Sequence, residues 1–447
     1  MDGSDMEDLL RQYNPHWDSP PTYELIPREP YLETILTLLD RREIIVLQGI
    51  RRSGKSSLLK LIVNELLERD IPAENILFMN LEDYRFGAER NLTTLDAMYQ
   101  AYREIASPTG RTFILLDEIQ EVPQFEKWLR THYDQHPSLK FIITGSSSSL
   151  FSRELATLLT GRHISLEIFP FSFGEYLHYR DREVYQELRN RPVDSLYLSS
   201  IYEQVAPHLQ RYLDQGGFPE VVKHDDPGAN ILLLQQYLTD IILRDVARRY
   251  NIRRMEVLQK LALYLIFNMS GMINVSRIAE QVGSNRTTVL DLIGYLKEVY
   301  LIFTSGSFSF SVNEQLTTTR PKRVYCVDNG FFAAIKTGAK DERSRKMKNV
   351  VYQHLRFRWR EEPFYWSEKV TIDFVLPDGF PILVAPDGEA MEAEIDRLFY
   401  YLTRHNLPRG LLISQNKMQI LEENERRIHI LPLWLFLTRP REEVVEF

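Results

Sequence analysis

Gly49-Ile50-Arg51-Arg52-Ser53-Gly54-Lys55-Ser56 fits the pattern G-x-x-x-x-G-K-[ST] at every position. Its glycines let the backbone wrap close enough for N–H groups to cradle phosphate oxygens. The helix expected through Ser57-Leu58-Leu59-Lys60-Leu61-Ile62 adds a partial positive charge at its N-terminus. Lys55 is then placed to reach the β- and γ-phosphates of ATP, and the Ser56 hydroxyl to ligate Mg²⁺. The candidate nucleotide-binding set is Gly49, Ile50, Arg51, Arg52, Ser53, Gly54, Lys55, Ser56 and Ser57. For Arg51 and Arg52, phosphate contact and plain solvation both fit an exposed loop.

A second element ends in carboxylates. Phe113-Ile114-Leu115-Leu116 closes on Asp117-Glu118, as a buried strand does when it delivers charge to a site at its end. Asp117 is the expected second contributor to the metal site, through water, and Glu118 the residue that orients the attacking water. The next apolar run ends Thr144-Gly145-Ser146-Ser147-Ser148. Thr144 or Ser146 is the candidate γ-phosphate sensor, and the sequence does not choose between them. ATP hydrolysis is the expected chemistry, with ATP and Mg²⁺ as cofactors.

A third pattern suits nucleic acid. Ser276 to Leu292 reads as helix-turn-helix, with Ile278, Val282, Val289 and Leu292 as the seam and Gly283 supplying the turn. Ser284 or Asn285 caps the second helix, whose N-terminal end presents Arg286, Thr287 and Thr288. These residues and Arg277 are the candidate DNA contacts, and Phe303 to Val312 is the expected wing. A scaffold used only for packing is the alternative.

The elements that must hold these residues are those of an α/β protein. Short apolar runs at Ile44–Leu47, Ile76–Met79, Phe113–Leu116, Phe141–Ile143 and Ile164–Leu166 alternate with amphipathic stretches. That pattern predicts a buried parallel sheet. Residues 172–254 carry helical periodicity. Aromatic-rich strands are expected at 302–312, 323–327, 364–366, 371–376 and 382–384. A chain of 447 residues suggests about three domains. With 44% hydrophobic and 26% charged residues, disorder is excluded as the main state. The single cysteine, Cys326, lies in an apolar stretch and is expected to be buried and inert. No apolar run approaches the roughly 18 residues of a membrane span. The acidic start Met1-Asp2-Gly3-Ser4-Asp5 is no signal peptide, so a cytoplasmic protein without membrane contact is expected. The net charge of −8 conceals two basic segments, Arg244–Lys297 at +5 and Arg320–Arg360 at +9, on an otherwise acidic body.

Over almost its whole length the chain resembles the archaeal and bacterial AAA+/STAND-like P-loop ATPases with a winged helix and a C-terminal restriction-endonuclease-like domain of unknown function. The resemblance rests on Tyr13-Asn14-Pro15-His16-Trp17, Ile26-Pro27-Arg28, Leu115 to Gln120, Thr144 to Ser147 and Leu158 to Arg162. It continues through Phe169 to Tyr176, Gly216-Gly217-Phe218-Pro219-Glu220 and Ile242 to Val246. It implies an ATPase core with lead-in at 1–180, a helical lid at 181–254, a winged helix at 255–312 and a nuclease-like α/β domain at 313–447. It also gives Arg162 a catalytic role, stabilising charge on the transferring phosphoryl group, with a structural pairing to Glu167 or Glu175 as the alternative.

The nuclease-like pattern departs from the family's. Lys348 stands where the helix acid is expected, and Leu383 and Ala385 replace the acid and lysine of the strand, so only Asp373 remains. One carboxylate cannot hold and polarise a catalytic Mg²⁺, so the domain is expected to be an inactive relic. The function expected is an ATPase whose nucleotide state regulates DNA binding. The alternative is a nucleotide-dependent protein-interaction switch that never touches DNA. ATP or ADP, DNA and a second copy of the chain are the expected partners.

Overall fold

The computed structural model describes residues 3–19, 23, 25–87, 90–146, 159–190, 195–311, 313, 315, 320–335, 342–386 and 388–445. The chain divides into two compact units, Met1–Ile168 and Phe169–Phe447.

The first unit is built on β1 (Ile44–Gln48), β2 (Ile76–Asn80), β3 (Thr112–Asp117), β4 (Leu139–Gly145) and β5 (His163–Glu167). All pair in parallel, in the order β2-β3-β4-β1-β5. Successive side chains point to opposite faces, so β1 to β4 each serve two cores. Ile44 and Val46 join Ile114, Leu116 and Ile143 on one face, under α1 (Gly3–Tyr13), α3 (Leu92–Ala106) and α4 (Phe125–Gln135). Ile45 and Leu47 join Leu115 and Ile142 on the other, under α2 (Lys55–Glu68). Burial on both faces is why β1 to β4 read as apolar runs, while the edge strand β5, HISLE, is only partly buried.

The edge strand β2 is sealed by the Tyr13-Asn14-Pro15-His16-Trp17 motif. Buried Asn14 accepts from the Phe78 N–H at 2.6 Å and donates to the Phe78 carbonyl at 2.9 Å, imitating a further strand. Trp17 Nε1 donates to the Ile76 carbonyl at 2.9 Å. Backbone groups that would otherwise invite another chain are thereby satisfied.

The second unit opens with helices. Those used below are α5 (Phe173–Arg180), α6 (Ser195–Gln215), α7 (Pro227–Asp240), α8 (Met255–Phe267), α9 (Val275–Val282) and α10 (Arg286–Glu298). Gly283, at φ +67°, turns the chain between α9 and α10. Then β6 (Ile302–Ser305) pairs antiparallel with β7 (Arg323–Cys326), and Met272 adds an isolated bridge to Arg323. The partner of β6 is therefore β7, and the expected boundary at 312/313 falls inside this hairpin; Val312 itself lies outside the described residues.

After α11 (Gly330–Ala334) and α12 (Glu342–Gln353) comes a sheet of β8 (Phe364–Ser367), β9 (Thr371–Val375), β10 (Pro381–Val384), β11 (Arg409–Ser414), β12 (Gln419–Glu423) and β13 (Arg426–Pro432). Its order is β12-β13-β11-β10-β9-β8, with β10, β11 and β13 parallel and the remaining pairs antiparallel. Helix α13 (Glu389–Arg404) lays Leu398, Tyr401 and Leu402 on one core, which also takes Leu383 and Ala385.

The motifs shared with the resembled family meet within this unit. Glu175 closes a capping box on Ser172 at the start of α5. Gly217 accepts the Phe171 N–H at 2.7 Å, and a Cβ there would lie 2.1 Å from the Phe171 carbonyl oxygen, so only glycine fits. The Gly217 N–H in turn donates to Asp328 Oδ2 at 2.7 Å, and Gly330 N–H to Oδ1 at 2.7 Å. Burial without a cation pushes the Asp328 carboxyl up to about 7.

Candidate nucleotide site

The parallel register brings the ends of β1, β3 and β4 to one sheet edge, with Leu47 opposite Thr144 and Leu116 opposite Ile143. The edge past the carboxyl ends of parallel strands is where α/β folds bind ligands. The loop after β1 begins with Gly49 at φ +152°, where a Cβ would stand 2.0 Å from the Ile168 carbonyl oxygen. Gly54, at φ +97°, starts α2. Arg52 takes φ +69°. Buried Arg28, from the Ile26-Pro27-Arg28 motif, donates to the Ser53 carbonyl at 3.0 Å and braces the loop from behind. The sequence marked Arg28 only as part of a family motif; its role needs a contact 25 residues away.

Lys55 is buried, and its ammonium donates to the carbonyls of Gly49 at 3.0 Å and Ile50 at 3.1 Å. Arg51 pairs with Glu82 at 3.3 Å, Arg52 and Ser57 are exposed, and Ser56 is half-buried. Asp117 is fully buried, and its Oδ2 has no hydrogen-bond partner. Burial raises its carboxyl above the ordinary range and the Glu118 charge raises it further; Ser56, Thr144 and Lys55 pull it down without cancelling the shift. A buried acid with one unsatisfied oxygen beside a serine hydroxyl suits a hard cation, and Ser56 with Asp117 are the residues that fit Mg²⁺.

Thr144 ties the two strands together. Its hydroxyl donates to Asp117 Oδ1 and accepts the Glu118 N–H at 2.9 Å. With its one proton given to Asp117, Thr144 positions the acid, and buried Ser146 is the other hydroxyl at this strand end. Glu118 takes a left-handed conformation at φ +54° and ψ +47°, and its carboxylate accepts from Gln120. For a residue with a Cβ this geometry is uncommon, and such backbones cluster at active sites.

Arg162 is elsewhere. Its carbonyl accepts the Ile44 N–H at 2.8 Å, so it flanks the start of β1, while the phosphate loop follows the end. Five strand residues separate the two, about 16 Å. Its side chain pairs with Asp134 at 3.2 Å and is about one-third exposed.

A family profile described as an AAA domain matches residues 41–177, and another, described as a domain of unknown function, matches 206–343. An uncharacterized protein of Haemophilus influenzae is 30% identical over 361 residues, covering 78% of this chain and 84% of that one. The chain belongs to the AAA+ P-loop ATPase family. An uncharacterized protein of Methanocaldococcus jannaschii is 29% identical over 343 residues, covering 75% of this AAA+ chain and 72% of its relative. Among solved structures, the Aeropyrum pernix ORC1 protein in complex with DNA is similar at a TM-score of 0.31 and 13% identity, covering 71% of this chain and 94% of that one. A likeness that distant carries no argument.

The remaining expected site residues of this AAA+ protein lie in the second unit. Arg277, Asn285, Arg286 and Thr287 are exposed, and Ser284 and Thr288 half-buried. Asn285 is the cap of α10, accepting the Thr288 N–H at 2.8 Å. Arg286 Nη1 donates to Ser276 Oγ at 2.8 Å.

Asp373 is buried, with Oδ1 taking Arg323 at 2.8 Å and Lys348 at 2.9 Å, and Oδ2 accepting the Val384 N–H at 3.3 Å. Burial alone would raise this carboxyl; the two cations hold it below the ordinary range. Glu394, on α13, is not among the residues the sequence marks for chemistry. Burial and the Asp373 charge raise it, and its Oε2 lacks a hydrogen-bond partner. Nothing in the spacing of α13 announces this.

Proposed function

We propose that this protein binds and hydrolyses ATP at the β1–β3–β4 edge and that its nucleotide state governs DNA binding. The observation that carries the first part is Asp117, buried with a spare oxygen beside Ser56 and fixed by Thr144. Lys55 exchanges the Gly49 and Ile50 carbonyls for phosphate oxygens. Ser56 and Asp117 hold Mg²⁺, which neutralises phosphate charge when bound. Glu118, held meanwhile by Gln120, orients water toward the γ-phosphate, and Ser146 senses that phosphate. Arg162, at the far end of β1 from the loop, acts on the nucleotide of a second copy in a homo-oligomer.

Helices α8–α10 with the β6–β7 hairpin are read as the winged helix, and the exposed N-terminal end of α10 supports DNA contact. The charge-neutralised Asp373 supports an inactive nuclease-like domain. A second reading, a protein-interaction switch without DNA, is favoured by Asn285 and Arg286 already serving α9 and α10. ATPase rates with and without duplex and single-stranded DNA separate the two. DNA-altered turnover supports the first; DNA affinity identical in ATP and ADP removes the switch.

A further inference from the structure

A cleft of about 480 Å³ lies between α10 and the β6–β7 hairpin. One side of α10 lines it at helical spacing, from Arg286 through Leu290 and Ile293 to Lys297, and the approach to β7 adds Arg320 and Lys322. No Asp or Glu lines it among the described residues. Arg286 is held by a neutral hydroxyl. Desolvation, and secondarily the nearby Lys322 charge, draws the Lys297 ammonium below the ordinary range, with Glu362 the opposing influence. Like charges gathered on a concave wall cost free energy unless an anion joins them. The wall is not purely ionic, because Leu290 is 52% exposed here and Ile293 forms part of the lining. A pocket of this size with an apolar floor and a few convergent charges is of the kind that holds a small ligand. At Gly294, in the same wall, an added Cβ would meet nothing within 4 Å, so the space is open.

We propose that this cleft binds a nucleotide unit, its phosphate held by Lys297, Lys322 and Arg320 and its base and sugar laid on Leu290 and Ile293. This goes beyond the reading above and does not require duplex DNA to bind. The same chemistry has two sources, a free mononucleotide or a nucleotide within a single strand.

The test uses the full chain in a Lys55→Ala background, which removes the main cation of the phosphate loop. Anisotropy of a labelled oligothymidylate and direct titration with AMP are the two arms. Binding of AMP alone supports the free-nucleotide source, and binding of the strand supports the other. In either arm Lys297→Gln with Lys322→Gln should weaken binding about tenfold or more. Gly294→Phe, which fills the cleft and leaves every charge in place, should do the same even where the charge variant fails to fold. Three results overturn the proposal: neither probe binds, both variants bind as the parent does, or inorganic phosphate competes as well as AMP. Duplex affinity that persists in both variants, with these probes unbound, would leave the DNA reading standing while this one falls.

Discussion

Each unit buries an aspartate on a strand of its sheet, and the two are treated in opposite ways. Asp117 keeps one oxygen without a partner and is pushed toward its neutral form. Asp373 uses both oxygens, on Arg323, Lys348 and the Val384 N–H, and stays ionised. On the function proposed above, the first site takes its cation from outside, while the second carries its cations in its own side chains. A buried carboxylate is thus not in itself a metal site; what matters is whether the fold has already answered its charge.

The largest effect separating them should be on turnover. Lys55→Ala should lower ATP hydrolysis at least about 100-fold, since the phosphates lose their main cation. Glu118→Gln should bind ATP and hydrolyse it slowly, whereas Asp373→Asn, in whatever fraction stays folded, should turn over as the parent does. Steady-state rates per folded protein check all three.

Stability should move the other way. Asp373→Asn leaves two buried or half-buried cations facing an amide, a loss of about 3–5 kcal/mol. Asp117→Asn removes an unsatisfied buried charge and should cost no thermal stability in the absence of nucleotide. Melting curves of both variants decide this, and equal destabilisation would break the comparison.

The response to pH follows the two directions of shift. The raised Asp117 carboxyl begins to take up protons above the ordinary value near 4, so Mg²⁺-dependent ATP binding should weaken from mildly acidic pH downward. The depressed Asp373 contributes stability above the unfolded value near 4, lost only as pH falls through its lower folded value. Calorimetric titration over pH, beside melting over the same range, reads both. The smallest effect concerns DNA: Arg286→Ala should weaken binding by about 1–3 kcal/mol if it reads a base, or lower the salt slope by about one unit if it meets phosphate only.

The candidate nucleotide site is legible in the sequence because its signals are local. The candidate phosphate loop is contiguous, Asp117 and Glu118 end an apolar run, and β1 to β4 each contain an apolar run of three or more residues. What escaped was tertiary. Arg28 braces Ser53, Asp134 takes Arg162, and β6 pairs with β7, an expected strand for which the spacing names no partner. Each of these depends on a partner that spacing does not reveal. Strands β11 and β13 are not among the expected strands, although Leu411-Leu412-Ile413 is an apolar run and Ile428-His429-Ile430-Leu431 is broken only by His429. Lys348 was recognised as a missing acid, but its pairing with Asp373 required β9 and α12 to be seen side by side.

On the proposed function, Asp117 takes up Mg²⁺ with ATP and Asp373 does not. Affinity for ATP, measured by calorimetry with Mg²⁺ and with a chelator, tests it in the parent, Asp117→Asn and Asp373→Asn. The expected result is that Asp117→Asn loses the Mg²⁺-dependent gain in affinity and Asp373→Asn retains it. Retention of that gain by Asp117→Asn, or its loss only in Asp373→Asn, would contradict the account.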